Sequence, residues 1–430
     1  MISIAVVGTG YVGLTTGAYL AHLGHTVVCA DVVPEKIERL SRGDVPIFEP
    51  GLDELVREGL DSERLRFVLG AAEGVRDAEF VFLCVPTPQG EDGSADVSYL
   101  ESAAAEIGPV LNSEAIVINK STVPVGSTRV VEQALQRNDV YVVSNPEFLR
   151  EGSAVHDCLN PDRIVIGADD QAVAIRVSAL FAKLRAPLIV TDPVSAETIK
   201  YASNAFLATK ISFVNAIANV CEAVGADVRE VLMGMGYDKR IGFEFLKPGP
   251  GWGGSCFPKD SRALVRIAED AGYDFSLLKG VIDVNTAQYD RIAAKICHAA
   301  GGELTGKTVG VLGVTFKART DDLRDSPALH VIDRIKDMGA KVKAYDVTQL
   351  SPTAPTHPTL QDVEMCADAY AAAEGADVLA VLTEWDEFRW LDFDRIKGLV
   401  GTPAVVDARN LLDAAPLRRK GFSYVGVGRT

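Results

Sequence analysis

The chain begins with a short apolar run that leads straight into a glycine-rich turn. Residues Ile2–Val7 are followed by Gly8-Thr9-Gly10-Tyr11-Val12-Gly13 and then by an apolar helical pattern. A second apolar run follows that helix and ends at the acidic residue Asp31. A strand, a Gly-x-Gly-x-x-Gly turn, a helix and an acidic residue in this order form the fingerprint of a dinucleotide-binding βαβ unit. The opening of the chain therefore predicts a doubly wound α/β fold.

The residues of this fingerprint also favour one dinucleotide. Gly8 permits the tight turn, Gly10 lets the backbone approach a pyrophosphate, and Gly13 allows the helix to pack closely on the strand. The N-terminus of the helix attracts the pyrophosphate charge. Asp31 would accept hydrogen bonds from the adenosine ribose, whereas a 2′-phosphate there would meet a carboxylate. We therefore predict NAD rather than NADP as the cofactor; a glycine turn that binds no ligand is the alternative.

The alternation of apolar runs with helical patterns continues through the first half of the chain and restarts in its last third. Runs rich in valine and isoleucine that alternate with helices indicate a parallel sheet covered on both faces. In the first half, the further strand candidates are Thr26–Ala30, Phe80–Val85, Ala115–Asn119, Val140–Val143, Arg163–Ile166 and Pro187–Val190. In the last third, they are Lys307–Leu312, Lys341–Tyr345, Val378–Leu382 and Ala404–Val406. We expect two Rossmann-like lobes, residues 1–194 and 304–430, that repeat one nucleotide-binding design.

The middle of the chain, residues 195–303, has a helical pattern. Residues 195–224 contain neither glycine nor proline and carry an apolar helical stripe formed by Ile199, Phe206, Phe213, Ile217 and Val220. At ~1.5 Å rise per residue this helix would span about 45 Å, more than one small domain needs. Residues 258–271 and 277–299 are further helix candidates. We predict a central helical domain whose long helix connects the two lobes; an ordinary core helix is the alternative.

The composition excludes several classes of protein. Forty-three basic and 59 acidic residues give a net charge of −16, which argues against a nucleic-acid-binding protein and a basic membrane-surface protein. We expect no apolar run that approaches the length of a bilayer span, and the N-terminus is typical of a first strand rather than a signal peptide. Seven cysteines, scattered without metal-ligand spacing, predict neither a disulfide framework nor a metal site. We expect a soluble, reduced, cytoplasmic protein.

One of these cysteines lies in a distinctive setting, Gly253-Gly254-Ser255-Cys256-Phe257-Pro258-Lys259-Asp260. Pro258 suits the first turn of a helix. Cys256 would then lie at the N-terminus of that helix, where the helix dipole and the nearby Lys259 favour the thiolate. We predict a reactive thiol here, against the alternative of a small buried apolar residue. The other six cysteines, such as Cys84 in its apolar strand, are interpreted as structural.

The chain resembles the nucleotide-sugar dehydrogenases of the UDP-glucose/GDP-mannose dehydrogenase family, which oxidise a sugar CH2OH to a carboxylate with NAD. The matching segments occur in the family's order and cover essentially the whole chain. They are Gly8–Gly13 with Asp31, Cys84–Pro88, Ser121–Pro124, Asn145–Gly152, Glu197–Asn204, Arg240–Gly242, Phe245–Lys259, Thr315–Lys317, Asp322–Pro327 and Asp407–Arg409. Trp252 departs from the Tyr or Phe that the family often carries, but it keeps a flat aromatic ring.

The resemblance implies a catalytic thiol at Cys256, and the chemistry explains why one is needed. Removing one hydride from an alcohol gives an aldehyde, whose carbonyl carbon is a poor donor of the second hydride. A thiolate adds to it and forms a thiohemiacetal that can donate that hydride, and water then releases the acid from the resulting thioester.

The resemblance gives the remaining catalytic roles to five further residues. Lys200 and Asn204, four residues apart on one helix face, would stabilise an oxygen that becomes negative. Asp260 would position or deprotonate the water, which Thr122 would hold. Glu151 would contact both cofactor and substrate and assist hydrolysis.

The binding residues follow from the same resemblance. Those expected to bind NAD are Gly8, Gly10, Tyr11, Val12, Gly13, Asp31, Lys36, Thr87, Thr122, Glu151, Lys259 and Arg324. Those expected to bind a UDP-sugar are Glu147, Phe148, Leu149, Arg150, Glu151, Lys200, Asn204, Arg240, Phe245, Leu246, Lys247, Pro248, Gly249, Gly253, Phe316, Lys317 and Arg409. Glu147 could instead be a solvated acid on a loop, and Lys247 is left unresolved.

The resemblance favours UDP-glucose as substrate and leaves UDP-N-acetyl-hexosamine and GDP-mannose open, because one sequence does not show the shape of the sugar pocket. A two-electron hydroxy-acid dehydrogenase would not need the placed thiol, and a non-catalytic nucleotide sensor would tolerate its loss. The resemblance also implies a homodimer built on the central helices, in which Arg240 reaches the partner's substrate, and leaves a higher oligomer open.

Overall fold

The computed structural model describes residues 2–90, 95–350 and 354–429. The chain divides into two compact units. The first is Met1–Ser203 with Arg262–Ala271, and the second is Asn204–Ser261 with Gly272–Thr430. The domain limits predicted from the sequence, 1–194, 195–303 and 304–430, remain predictions.

The first unit is built on an eight-stranded sheet in the order β3-β2-β1-β4-β5-β6-β7-β8. Its strands are β1 Ser3–Val7, β2 Thr26–Asp31, β3 Leu65–Leu69, β4 Phe80–Leu83, β5 Ile116–Asn119, β6 Tyr141–Ser144, β7 Ile164–Gly167 and β8 Leu188–Thr191. Every predicted strand of this half is present, and β3 is additional. Its alternating pattern of buried and exposed residues, with Arg66 facing out, gives a weaker apolar signal than the fully buried strands.

One expectation about this sheet needs correction. Residues 163–166 and 187–190 were expected to extend the parallel pattern, but β7 pairs with β6 in the antiparallel direction through Ser144 and Gly167. The pair β7–β8 is itself parallel, so it runs opposite to the six other strands. The apolar pattern of a strand carries no information on its direction, which explains the error.

Helices cover both faces of this sheet. They are α1 Tyr11–His22, α2 Pro34–Ser41, α3 Leu52–Asp61, α4 Ala71–Gly74, α5 Ser98–Ile107, α6 Ser127–Leu135, α7 Ala154–Leu159 and α8 Gln171–Ala179. Alternate residues of β1 enter two different apolar cores: Ile4 packs with Leu14 of α1, whereas Ala5 packs with Leu100 of α5. The doubly wound architecture is therefore confirmed.

The long helix predicted at residues 195–224 is α9 Pro193–Val224, which is 32 residues long. It starts two residues earlier than predicted because proline is accommodated in the first turn of a helix. Among the described residues, α9 is the one helix with the length and apolar composition to cross a membrane, so the expectation that no segment approaches this length was wrong. The helix nevertheless carries Glu197 and Lys200, both buried and hydrogen-bonded within the protein. The interior of a protein accounts for such residues more readily than a bilayer.

Three more helices complete the middle of the chain: α10 Val228–Gly236, α11 Phe257–Asp270 and α12 Ser276–Ala299. The last two correspond to the predicted helices 258–271 and 277–299. Asp227 caps α10 by accepting a hydrogen bond from the backbone of Arg229.

The second unit contains a six-stranded, wholly parallel sheet in the order β11-β10-β9-β12-β13-β14. Its strands are β9 Thr308–Leu312, β10 Lys341–Tyr345, β11 Glu364–Met365, β12 Val378–Val381, β13 Ala404–Asp407 and β14 Ser423–Val425. Its helices are α13 Pro327–Asp337, α14 Ala369–Ala373, α15 Phe393–Leu399 and α16 Ala414–Arg419. This strand order is the same as that of the six strands β3-β2-β1-β4-β5-β6 in the first unit, which confirms the predicted duplication of one design.

Candidate active site

The glycine turn after β1 has the geometry that the fingerprint predicts. Gly8 has φ +95, and a Cβ atom on it would lie 2.5 Å from the carbonyl oxygen of Cys84. A Cβ on Gly13 would overlap the carbonyl oxygen of Gly8, whereas one on Gly10 would meet nothing within 4 Å. Gly8 and Gly13 are thus required by packing, and Gly10 faces open space. The helix α1 begins at Tyr11 without a side-chain cap, so its first N–H groups can bind an anion.

Asp31 lies at the end of β2, beside this turn. Its Oδ2 accepts hydrogen bonds from the backbone nitrogen of Thr9 at 2.9 Å, from the Thr9 hydroxyl at 2.6 Å and from Lys36 Nζ at 2.9 Å. Partial burial opposes ionisation, but these hydrogen bonds and the Lys36 charge lower the pKa of Asp31 to about 2. The carboxylate is therefore charged at neutral pH and would repel a 2′-phosphate. The turn and Asp31 together fit NAD.

A buried ion pair lies elsewhere in the first unit. Lys200 Nζ on α9 is 2.7 Å from Oε1 of Glu147, and both side chains are almost completely buried. Oε2 of Glu147 accepts a hydrogen bond from the backbone of Leu149 at 2.6 Å, and Thr122 Oγ1 lies 3.5 Å from Oε1. Burial opposes the charge of Glu147, but Lys200 and the neighbouring cations hold its pKa below the usual range. The structure thus brings together Thr122, Glu147 and Lys200.

Aromatic and backbone contacts extend this cluster. The ring centroid of Phe148 lies 5.6 Å from Lys200 Nζ and 3.7 Å from the centre of the Arg163 guanidinium. Thr87 donates a hydrogen bond from its hydroxyl to the carbonyl oxygen of Thr122 at 2.8 Å. Five predicted residues of the first unit, which belong to four different segments, therefore lie close together: Thr87, Thr122, Glu147, Phe148 and Lys200.

Lys120 also belongs to this cluster and was not expected from the sequence. Lys120 is buried, and its Nζ donates a hydrogen bond to Asn145 Oδ1 at 3.0 Å. Burial lowers the pKa of Lys120. With Glu147 and Phe148, it lines a cavity of about 140 Å³. A lysine at the end of a strand usually indicates a solvated charge, so the only available signal was its place directly before the Ser121–Pro124 segment.

Glu49 is a second buried residue that was not expected from the sequence. Its carboxylate accepts hydrogen bonds from the backbone of Gly152 at 2.6 Å and of Ala154 at 2.7 Å, and from the hydroxyl of Tyr11. Gly152 also donates to the Tyr11 hydroxyl at 3.0 Å. Glu49 thus joins the first residue of α1 to the loop that carries the predicted residues Glu147–Glu151. In that loop, Arg150 pairs with Asp157 at 2.6 Å.

In the second unit, Cys256 immediately precedes α11 and is half-buried. Its Sγ lies 3.5 Å from Ser255 Oγ. Its carbonyl oxygen accepts a hydrogen bond from the backbone of Asp260, whose fully buried carboxylate accepts one from Asn204 Nδ2 at 2.6 Å. Lys259 Nζ is 2.8 Å from the other carboxylate oxygen of Asp260. The predicted residues Asn204, Cys256, Lys259 and Asp260 therefore form one group.

Buried polar side chains hold the glycine- and proline-rich stretch before Cys256. Asn215 accepts a hydrogen bond from the backbone nitrogen of Gly249 at 2.8 Å, and Gln288 donates one to the carbonyl oxygen of Gly249 at 2.9 Å. The indole of Trp252 donates to Ser212 at 2.9 Å. A Cβ on Gly253 would overlap the carbonyl oxygen of Asp325. Within the stretch Phe245–Pro248, Leu246 is buried and Lys247 is exposed.

Three further predicted residues meet at the carboxyl ends of β9 and β13. Arg409 donates hydrogen bonds to the carbonyl oxygens of Leu382 at 2.9 Å and Phe316 at 2.8 Å. Lys317 Nζ lies 5.2 Å from the centre of the Phe316 ring. Two other predicted cations form local ion pairs: Arg324 pairs with Asp322, and the largely exposed Arg240 pairs with Asp238. The part of the chain that the structure describes contains no cluster of three or more metal-ligating side chains.

Comparison with known proteins matches three consecutive segments of the chain to models of one family. Residues 2–185 match the UDP-glucose/GDP-mannose dehydrogenase family, NAD binding domain; residues 194–287 match its central domain, and residues 310–414 its UDP binding domain. UDP-glucose 6-dehydrogenase TuaD of Bacillus subtilis is 44% identical over 434 residues, which cover 100% of this chain and 94% of that protein.

Two solved structures are also similar over the whole chain. A UDP-glucose dehydrogenase from Pyrobaculum islandicum superposes with a TM-score of 0.92 at 38% identity and covers 100% of this chain and 98% of its own. A UDP-D-ManNAc dehydrogenase from Pyrococcus horikoshii superposes with a TM-score of 0.88 at 28% identity, with 100% and 99% covered.

Proposed function

The chain belongs to the UDP-glucose/GDP-mannose dehydrogenase family, and on that premise we propose that it oxidises UDP-glucose to UDP-glucuronate with two equivalents of NAD. The observation that carries the proposal is Cys256 at the start of α11, next to the buried Asp260 that Asn204 holds. Whole-length identity of 44% to a UDP-glucose 6-dehydrogenase supports the choice of sugar.

The glycine turn and the Asp31 carboxylate form the cofactor site in this proposal. The turn Gly8–Gly13 would place the N–H groups at the start of α1 on the pyrophosphate, and Asp31 would hold the adenosine ribose. NAD, when bound there, supplies the acceptor for each of the two hydrides. Lys36 keeps the Asp31 carboxylate charged and oriented.

The buried pair of Lys200 and Glu147 provides charge for the first oxidation. The sugar C6 hydroxyl releases its proton to solvent water and its oxygen becomes negative, and that charge is lost again as the hydride leaves C6. The ammonium of Lys200 would donate a hydrogen bond to that oxygen, since Glu147 holds the lysine at 2.7 Å in a dry environment. The product of this step is the aldehyde.

Cys256 acts next in the proposed sequence. Its thiolate adds to the aldehyde carbon and forms a C–S bond, and the resulting thiohemiacetal loses a second hydride and its hydroxyl proton to become a thioester. Water then attacks the carbonyl carbon, the C–S bond breaks, and the acid and the thiol are released. Asp260, fixed by Asn204 and Lys259, would orient and deprotonate this water, with Thr122 and Glu151 assisting.

The UDP moiety requires positive charge, which this acidic protein must gather locally. Arg409 donates a hydrogen bond to the carbonyl oxygen of Phe316, the residue that directly precedes Lys317. The stretch Phe245–Gly249 and Gly253 belong to the same unit. We assign this group to the substrate nucleotide, and Arg324 with Lys259 to the cofactor.

We further propose that the protein is cytoplasmic and that it forms a homodimer built on α9. Phe206, Phe213 and Val220 repeat every seven residues and are exposed by 65%, 52% and 54%. Large apolar side chains in such a row are typical of a helix that packs on a partner. Arg240, whose side chain is 88% exposed, is available to reach a second subunit. Light scattering at assay concentration should give twice the mass of the chain, and a monomer would contradict the proposal.

Counting NADH against a panel of nucleotide sugars tests the proposed function. Two NADH should form for each UDP-glucose consumed, with free aldehyde scarcely detectable. UDP-N-acetyl-hexosamines and GDP-mannose serve as the control substrates, because the fold also occurs in a UDP-D-ManNAc dehydrogenase. One NADH per substrate, or faster turnover of a control sugar, would contradict the assignment.

A further inference from the structure

Glu197 is a buried carboxylate that the proposed chemistry leaves unused. It lies on α9 one helical turn before Lys200 and is 3% exposed. Its Oε2 accepts a hydrogen bond from the backbone of Gly126 at 2.6 Å, and its Oε1 accepts from the backbone nitrogen and the hydroxyl of Thr128 at 2.9 and 2.7 Å. A buried carboxylate needs such partners, since an unpaired one would be strongly unfavourable.

All three donors belong to the start of α6. Gly126 precedes this helix with φ +96 and provides no side-chain cap. The backbone nitrogen of Ser127 donates to the carbonyl oxygen of Pro124, whereas those of Gly126 and Thr128 donate to Glu197. Glu197 thus supplies an acceptor from another element, and its negative charge suits the positive end of the helix dipole. It therefore fixes the start of α6 to α9.

The segment that Glu197 fixes carries Thr122. At its other end, Ser121 donates a hydrogen bond from its backbone to Leu83 and one from its hydroxyl to Val85, at 3.1 and 2.7 Å. Residues 121–126 are thus tied to the sheet at the first residue and to α9 at the last. Because Lys200 follows Glu197 by one helical turn, the same helix determines the separation between Lys200 and the Thr122 loop.

We propose that Glu197 is a positioning residue, which holds Thr122 in place beside the Lys200–Glu147 pair and thereby supports hydrolysis of the thioester. The inference rests on the proposed function, in which Thr122 helps to hold the attacking water. Thr122 Oγ1 is only 3.5 Å from Glu147 Oε1, which accepts a hydrogen bond from Lys200 at 2.7 Å. A small displacement of the loop would therefore disturb the geometry of this step.

Glu197→Gln tests the proposal with little change in shape. The amide keeps one acceptor oxygen, but its NH2 group must face the donor of Gly126 or those of Thr128. We expect kcat to fall by roughly 10- to 100-fold, because displacement of a reacting group by about 1 Å has effects of this order. The KM for UDP-glucose should fall together with kcat and leave kcat/KM within about twofold of the wild-type value, because the steps up to the thioester are unchanged.

Mass spectrometry of the peptide that contains Cys256 provides a measurement that would not change if the role of Glu197 were purely structural. Slower hydrolysis should leave a larger fraction of this peptide as the covalent sugar adduct at steady state, while the initial burst of NADH keeps its wild-type rate. Thr128→Val, which removes one of the three hydrogen bonds, should show a smaller effect of the same kind and remains informative if Glu197→Gln fails to fold.

Asp170→Asn is the control, because Asp170 also accepts a hydrogen bond from the first turn of a helix, from the backbone of Ala172 in α8 at 2.7 Å, but it is the local N-cap of that helix and joins no second element. It should change neither turnover nor the adduct fraction. Wild-type turnover by Glu197→Gln, or equal loss of the burst and of hydrolysis, would overturn the positioning role. Failure of the proposed function is distinguishable, because it would show as one NADH per substrate in the wild-type enzyme.

Discussion

The two sheets of this protein share the same glycine turn after their first strands and differ in the segments that follow it. Gly8 after β1 and Gly313 after β9 both have positive φ, +95 and +89. In each lobe an acidic residue at the end of the second strand accepts a hydrogen bond from the residue after the glycine: Asp31 from Thr9 at 2.9 Å, and Asp346 from Val314 at 2.7 Å. The duplication therefore extends from strand order to individual hydrogen bonds.

The lobes differ in where the next helix begins and in what covers the acid. α1 starts at Tyr11, within the glycine turn, whereas α13 starts only at Pro327, which leaves a long loop after Gly313. Asp31 stays partly exposed, but Asp346 is fully buried and also accepts a hydrogen bond from the indole of Trp385 at 3.2 Å. The first lobe thus presents a helix N-terminus and a carboxylate to a ligand. In the second lobe the same acid is structural, and the loop carries Phe316 and Lys317.

The largest expected effect comes from filling the first turn. Gly13→Ala would place a Cβ on the carbonyl oxygen of Gly8, so we expect the free energy of unfolding to fall by about 3 kcal/mol and NAD binding to be lost. Gly10→Ala is the matched control, because its Cβ meets no protein atom. It should unfold like the wild type but bind NAD weakly. Chemical denaturation and NAD titration measure the two quantities; equal stability of both variants would refute this division of roles.

Substitution of Asp31 should affect NAD binding, whereas substitution of Asp346 should affect the free energy of unfolding. Asp31→Asn should raise the KM for NAD by about tenfold, as expected for weakened hydrogen bonds between a charged group and the ribose. Asp346→Asn should leave this KM unchanged and lower the free energy of unfolding by about 2 kcal/mol, because it leaves several buried donors without a charged acceptor. A change in the KM for NAD on Asp346→Asn would show that the lobes do not differ as described.

The smallest effect is expected from Lys36, which helps to keep Asp31 ionised. The pKa of Asp31 is about 2 in the folded protein, below its ordinary value of 3.8. The favourable contribution of the Asp31 carboxylate to folding is therefore complete above roughly pH 5 and is lost as the pH falls towards 2. Lys36→Met should move the acid limb of NAD binding to higher pH and weaken binding at pH 7 by only about two- to threefold. An unchanged acid limb would contradict the assigned ion pair.

The sequence predicted the elements that local pattern determines and missed those that tertiary contacts determine. Strongly apolar strands such as β4 and β5, the glycine turn and the helix start after Cys256 were found where expected. The short strands β11 and β14 at the sheet edges were missed, because their two and three residues give almost no periodic signal.

The candidate site shows the same division. Cys256 was recognisable because glycines and a proline mark its local turn. Glu49, Lys120 and Glu197 were not singled out, because each is an ordinary charged residue in its local sequence. Their burial becomes evident only through partners distant in the chain, such as Asn145 for Lys120 and Thr128 for Glu197.

The central claim is that Cys256 forms the covalent intermediate, and Cys256→Ser tests it most directly. Oxygen esters hydrolyse more slowly than thioesters, so the serine variant should retain the sugar as an ester after incubation with UDP-glucose and NAD. The measurement is the mass of the peptide that contains residue 256. We predict a mass increase equal to the bound UDP-glucuronyl group in this variant, and its absence when NAD is omitted. An unmodified peptide, with UDP-glucuronate still formed at the wild-type rate, would contradict the account.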